Sequence, residues 1–272
     1  MSVLFGEKVM KEKQKNVLLA LAAIIGSMAL YKLTGSFLDG IITNEYVCDF
    51  TAQLAFAVYA TAAVFLIRRT DVYRAEKNCL KSGWTSAGLA FVLILFYSVF
   101  GIATLLLSTA TPLEFILFVL QVVLIGYTEE LLFRGVMQRA LHRYFGETNL
   151  KTVLCALVLS GLCFGIAHLG NIARIGAAAA VTQAVSTVCS GIYWGAVYFR
   201  TGKHPWFIMF LHFAYDWAGF MMSGRLVGGT ASDAVGMVKD QNVGGVLFFA
   251  ALYLVATLII LRPKKLEPLL EK

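Results

Sequence analysis

The chain has 272 residues, of which 59% are hydrophobic and 14% are charged, and its formal net charge is +7. Soluble globular domains carry about 25% charged residues, so this composition excludes a soluble protein and makes the bilayer the main solvent. No polar stretch is long enough for a separate soluble domain. We interpret residues 1–272 as a single membrane domain.

Apolar segments of the length that crosses a bilayer, about 20 residues, recur along the whole chain. They predict an all-α polytopic membrane protein, a bundle of about eight transmembrane helices. The predicted segments are 17–33, 47–67, 85–107, 113–133, 152–168, 175–199, 205–222 and 243–261.

The positive charges predict the orientation of this bundle. With the N-terminus in the cytoplasm, 19 of the 23 Lys and Arg residues fall inside, and Lys32, Arg174, Arg225 and Lys239 fall outside. Cytoplasmic loops of membrane proteins are enriched in Lys and Arg. We therefore expect both termini inside (N-in/C-in). The same distribution argues against nucleic acid as the partner that explains the net charge.

The fourth segment ends in "GYTEELLFRG", residues 126–135, which places three charged residues at membrane depth. A charge at the centre of a membrane helix costs about 2.5–3.5 kcal/mol on insertion scales, so such residues mark functional sites. Glu130 and Arg134 are spaced for an ion pair, and we predict a structural brace from which Arg134 extends to the cytoplasmic interface. Glu129 lies about 100° away around the helix and is predicted to be the reactive carboxylate on a different face.

Two further motifs place histidines at membrane depth. "FGIAH" ends at His168, and "HFAYD" runs from His212 to Asp216. Each pair of end residues shares one helix face because they are four residues apart, so Asp216 can orient His212 or share a proton with it. His168 falls near Glu129 and His212 only if the fourth helix continues to about Tyr144, which we therefore predict.

These residue types suit peptide-bond hydrolysis by either of two routes. A buried glutamate can act as general base on water, while one histidine shares that proton and another donates to the developing oxyanion. Alternatively, Glu129, His168 and His212 would bind zinc, which acidifies the water itself. The residue pattern leaves both routes open. It contains no H-E-x-x-H, no G-x-G-D and no G-x-S-G or G-x-S-x-G, which excludes the zincin, aspartyl and serine alternatives.

The three motifs, in this order, resemble the CPBP family, the CAAX-protease and bacteriocin-processing (Abi) intramembrane endopeptidases. The matching patterns are E-E-x-x-x-R at residues 129–134, F-x-x-x-H ending at His168 and H-x-x-x-D at residues 212–216. They lie in a motif-bearing catalytic core of about residues 113–220. The resemblance implies an eight-helix bundle whose site opens toward the cytoplasm.

The resemblance also implies a role for each motif. Glu129 and His168 activate water, and His212 and Asp216 form the oxyanion hole. It favours a glutamate mechanism without a cofactor, and zinc is the alternative. The last motif position is often Asn in the family's prenyl endopeptidases. Asp216 donates a hydrogen bond only when protonated, so orienting His212 or holding a metal are its other expected roles.

We therefore expect an intramembrane endopeptidase of a bacterial plasma membrane. The resemblance implies short hydrophobic peptides or membrane-protein tails as substrates, with prenylated CAAX tails as a narrower class. The other expected partners are membrane lipid and a membrane partner protein.

Two hypotheses of other classes compete with this one. The first is a non-proteolytic scaffold that confers bacteriocin immunity or regulates a sensor kinase, and such a protein would tolerate Glu129→Gln. The second is a small transporter or proton relay, which intramembrane Glu and His would also suit. It is disfavoured because the sequence shows no inverted repeat and no matched pair of broken helices.

Overall fold

The computed structural model of the protein describes residues 2–227 and 243–270. Helix accounts for 85% of the structure, and these two ranges contain no β-strand. Lys239, Lys272 and the side chain of Arg174, which contributed to the predicted orientation, lie outside the described part. The helices are α1 (Ser2–Asp39), α2 (Glu45–Leu66), α3 (Leu80–Ser86), α4 (Gly88–Leu106), α5 (Pro112–Glu129), a π-helix (Glu130–Gln138), α6 (Arg139–Phe145), α7 (Leu150–His168), α8 (Ile172–Ile175), α9 (Ala177–Arg200), α10 (Pro205–Met222), α11 (Val243–Ile260) and α12 (Pro263–Leu266).

All eight predicted segments fall on helical runs, and six of these runs are long and apolar enough to cross a membrane. The chain is therefore a multi-pass membrane protein. The six candidate spans are Glu7–Asp39, Glu45–Leu66, Gly88–Leu106, Pro112–Phe145, Leu150–Asn171 and Val243–Ile260. Helices α9 and α10 are long enough but less apolar, because α9 is rich in Ala, Ser and Thr and α10 contains a histidine and an aspartate.

The fourth predicted segment continues as one helical run from Pro112 to Phe145, which confirms its predicted extension to about Tyr144. The run begins at Thr111, whose side chain forms a capping box with Glu114. It ends at Gly146, where φ is 82°. A glycine adopts this conformation without a Cβ penalty, so the chain can turn there toward α7.

Close packing of α7 against α9 depends on glycine. A Cβ atom at Gly165 would lie 2.6 Å from the carbonyl oxygen of Ala184, and one at Gly161 would lie 2.9 Å from the carbonyl oxygen of Val188. On α9, a Cβ at Gly195 would lie 2.7 Å from Gln138 Oε1 of the π-helix. Small residues let membrane helices approach closely, so these glycines hold α7, α9 and the π-helix together.

The segment after α2 is fastened to the end of the fourth helical run by arginines. Asp71 accepts hydrogen bonds from Arg69 Nε at 3.0 Å and from Arg143 Nη2 at 2.7 Å, and its backbone carbonyl accepts one from Arg139 Nη1 at 3.0 Å. Burial raises the pKa of Asp71, but the hydrogen bonds and charges of Arg69 and Arg143 outweigh burial and hold that pKa below its usual range. The ionised carboxylate therefore stabilises the folded state.

We expect Asp71→Asn to lower stability at neutral pH by about 0.2–1 kcal/mol, because the pair is partly exposed and screened by solvent. A carboxylate with a depressed pKa stabilises the folded state at pH values above its pKa in the unfolded chain, about 3.9. That contribution disappears as the pH falls through its pKa in the folded state. Thermal unfolding of the reconstituted protein between pH 3 and pH 7 should show the two proteins converging at the acid end. Asp39→Asn, which removes a carboxylate without an arginine partner in the described structure, is the control. A gap of equal size at every pH would contradict this account.

Candidate active site

His212 is the centre of a cluster that the π-helix, α5 and α10 build together. Its Nδ1 lies 2.6 Å from Glu130 Oε1. Its Nε2 lies 3.3 Å from Asp216 Oδ2 and 3.7 Å from Glu129 Oε2. Three carboxylates from two helical runs therefore face one buried imidazole.

The prediction that Glu129 and Glu130 serve different faces is wrong, since both side chains reach His212. The helix changes from α to π geometry at Glu130, and the imidazole projects from α10 between the two carboxylates. A π-helix is a rare element that occurs mostly as short bulges at functional sites. This one begins at the motif and continues to Gln138.

The predicted ion pair between Glu130 and Arg134 is present, with Nη1 3.1 Å from Oε1 and both side chains no more than 1% exposed. The prediction that Arg134 extends to the membrane interface is wrong. Its Nη2 donates to the carbonyl oxygen of Gly191 at 3.5 Å, and its guanidinium lies 4.4 Å from the centre of the Phe164 ring. A backbone carbonyl and an aromatic face therefore satisfy the charge inside the bundle in place of water.

The second motif approaches the same centre through Phe164 and His168. Nδ1 of His168 donates to the carbonyl oxygen of Phe164 at 2.9 Å, which leaves Nε2 as the atom available to the site. The Phe164 ring stands edge-on to His168 at 4.9 Å and to His212 at 6.4 Å. His168 and His212 therefore both lie against the Phe164 ring, whereas the approach of His168 to Glu129 stays a prediction.

Trp194 is a site neighbour that the sequence reasoning missed. Its ring is stacked on the His212 imidazole with a centroid distance of 5.9 Å and an angle of 12°, and Tyr215 packs edge-on against it at 5.6 Å. Trp194 precedes Gly195 in "YWGAVYF", so the close-packing glycine was the available signal. Stacking between Trp194 and His212 restrains the ring plane, which aims both imidazole nitrogens at carboxylates.

The candidate metal ligands do not form a ready metal centre in this arrangement. Within residues 2–227 and 243–270, no group of three or more His, Cys, Asp or Glu is placed to hold a metal ion. Of the predicted set, His212 has Nδ1 bonded to Glu130 and Nε2 directed at Asp216 and Glu129. Zinc ligation by Glu129, His168 and His212 would require this contact pattern to rearrange.

The comparison with known families bears on the same part of the chain. Residues 111–218 match the family model of the type II CAAX prenyl endopeptidase Rce1-like proteins. The matched segment is less than half of the chain and contains all three motifs, from Glu129 to Asp216. Over this segment, the chain is similar to the CAAX protease family. The similarity supports a CAAX-type intramembrane protease in general terms. No curated protein gives a significant match to the chain.

Proposed function

We propose that this protein hydrolyses peptide bonds of membrane-associated peptides or protein tails with Glu129 as the general base. The observation that carries the proposal is the unequal exposure of the carboxylates around His212. Glu130 has a side chain with no exposure and is bound to Arg134, whereas the side chains of Glu129 and Asp216 are 23% and 20% exposed. A substrate can therefore reach Glu129 and Asp216 but not Glu130.

The proposed reaction uses the polar atoms that face this exposed side. Glu129 removes a proton from water as the water oxygen attacks the peptide carbonyl carbon. His168 shares this proton through Nε2, and the Nε2–H of His212 stabilises the oxyanion of the tetrahedral intermediate. Glu129 then gives its proton to the leaving nitrogen as the C–N bond breaks. The products are a carboxylic acid and an amine, so atoms and charge balance.

Glu130 and Asp216 act on His212 in this proposal. Glu130 accepts from Nδ1–H of His212. A second proton at Nε2 requires the imidazolium form, which the three carboxylates around the ring stabilise. When Asp216 is ionised, its carboxylate accepts a hydrogen bond from Nε2–H of His212, so we propose that Asp216 orients His212. Arg134 pairs with Glu130 and holds its carboxylate in place. The proposed mechanism is thus of the glutamate type and assigns no step to a metal.

We further propose that α9 and α10 complete an eight-helix bundle with both termini in the cytoplasm of a bacterium. The basic residues between α2 and α3, after α6 and after α9 support this orientation. The site then opens toward the cytoplasm, where hydrophobic peptides and membrane-protein tails are the expected substrates. Lipid and a membrane partner protein are the other proposed partners.

The cellular test compares membrane and secreted peptides from cells that carry the wild type or Glu129→Gln at equal protein level. A peptide cut only in wild-type cells would support the proposal and identify the substrate class. Identical peptide sets, together with a cellular phenotype that the variant retains, would contradict it.

A further inference from the structure

One row of buried polar side chains runs from the site along the inner face of the π-helix and α6. It consists of Glu130, Arg134, Gln138 and His142, one residue per turn, and none of the four is more than 1% exposed. The row is about 18 Å long for twelve residues of helix. Polar side chains in such a position are costly unless each polar atom is hydrogen bonded, so the row requires an explanation.

The protein itself does not satisfy this row. Three of its residues have a buried side-chain atom without a hydrogen-bond partner, namely Glu130 Oε2, Gln138 Oε1 and His142 Nδ1, and Arg134 Nη1 has only its ion pair with Glu130. Only three other residues in the described part of the chain have such an atom. Native proteins usually satisfy buried polar groups of this kind with ordered water. The concentration of three such atoms on one helix face therefore points to bound water.

The tautomer of His142 supports this conclusion. Gln138 Nε2 is a donor, and it lies 2.9 Å from the carbonyl oxygen of Gly195 and 3.3 Å from His142 Nε2. His142 Nε2 must therefore accept, which places the ring proton on Nδ1. That Nδ1 lies 3.8 Å from Glu147 Oε1, too far for a direct hydrogen bond, and a polar gap of this size is typical of a bridging water.

Direct contacts already join Glu130 to Arg134 and Gln138 to His142. The proposed water molecules therefore bond to the remaining atoms, Glu130 Oε2, Gln138 Oε1 and His142 Nδ1. The far end of the row meets a cleft lined by Glu76, Glu147, Phe199 and Lys203, among others. The near end is Glu130, which is bonded to His212.

We propose that the row holds a chain of ordered water molecules that connects this cleft to the Glu130–His212 pair. The chain keeps the buried pair in proton exchange with the aqueous phase between turnovers. Peptide hydrolysis consumes no net proton, so each proton that the pair gives to the row is matched by one that it receives. The role in turnover rests on the proposed function, whereas the hydration of the row does not.

Hydration can be measured by hydroxyl-radical footprinting in ¹⁸O-labelled water on the full chain in nanodiscs. Leu157 and Phe199, both buried beside the row, should be oxidised. Phe118, which is equally buried in α5 and packs in another cluster, should not. Oxidation of Leu157 should be lost in Gln138→Leu. Equal protection of all three residues in the wild type would overturn the proposal.

Turnover is then measured with a quenched fluorescent peptide that ends in a farnesylated CAAX tail. Gln138→Leu and His142→Phe should lower kcat about 10-fold, as outer-shell partners of a reactive site do, with KM unchanged. His142→Asn, which keeps a polar atom near Nδ1, should retain most of the rate. Gln53→Leu is the matched control, because Gln53 is a buried glutamine that is not a member of the row and bonds to Thr128.

The outcomes separate the two proposals. An equal loss of kcat in Gln53→Leu and Gln138→Leu would overturn the role of the row in turnover. An unchanged kcat in a Gln138→Leu variant that has lost the oxidation of Leu157 would overturn it as well. A wild type that is oxidised at Leu157 but cleaves neither this peptide nor any cellular peptide supports the hydrated row and contradicts the proposed function.

Discussion

Glu129→Gln should lower kcat of the purified, reconstituted protein by about 10²–10⁴-fold, the contribution of a general base. The amide cannot take a proton from water, yet it has the same shape and can still contact His212 Nε2. KM and thermal stability should therefore change little. The measurement is a steady-state assay on the farnesylated CAAX peptide with a thermal unfolding curve for the same sample.

Glu114→Gln is the matched control for this variant. It is the same substitution in the same helical run, and glutamine can keep the capping box with Thr111. Activity of this control should remain within the error of the wild type. A Glu129→Gln protein that keeps more than about a tenth of the wild-type kcat would rule out Glu129 as the base, since that loss is below the range for general-base catalysis.

Arg134→Gln should have the largest effect on stability of any substitution in the site. It leaves the buried carboxylate of Glu130 without its cationic partner, and removal of one member of a buried pair costs about 3–5 kcal/mol. The variant also loses the contacts of Arg134 with Gly191 and Phe164, which tie the π-helix to α9 and α7. We expect low abundance in the membrane and a much lower unfolding temperature.

The double variant Glu130→Gln/Arg134→Gln distinguishes an unpaired charge from lost packing. It removes both charges and should recover a large part of the stability but none of the activity, because a neutral amide at position 130 no longer stabilises the positive charge of His212. Arg143→Gln is the control on the same helical run, since its pair with Asp71 is partly exposed and worth about 0.2–1 kcal/mol. If Arg134→Gln were no more destabilising than Arg143→Gln, the buried pair would not be a structural brace.

The sequence was sufficient to predict the helices and the groups of the site, because both follow from short-range patterns. Apolar length indicated eight helical runs, and the i, i+4 spacing indicated the Glu130–Arg134 pair. The position of His168 depended on the length of one helix, because His168 reaches the depth of Glu129 and His212 only if the fourth helix continues to about Tyr144. These features depend on residues close together in the chain, so a single sequence is enough to predict them.

The errors concern contacts between helices and a change of helix type. An ideal α-helix separates Glu129 from Glu130, but His212 inserts from α10 with Nδ1 toward Glu130 and Nε2 toward Glu129, so both reach one ring. Arg134 was expected at the interface because its partners inside the bundle, Gly191 and Phe164, come from other helices and are not indicated by its local sequence. Trp194 was missed for the same reason, since nothing in its local sequence shows that it stacks on His212.

The continuous run from Pro112 to Phe145 has a mechanical consequence. Glu129, the proposed general base, lies near its midpoint, so the end of the run at Phe145 and the proposed site belong to one helical rod. A continuous helix couples movement at one end to its middle, and the π-helix between Glu130 and Gln138 is its least regular part. We expect a load on Arg139 or Arg143 from the segment after α2 to shift the carboxylates, so that this segment and the proposed chemistry move together.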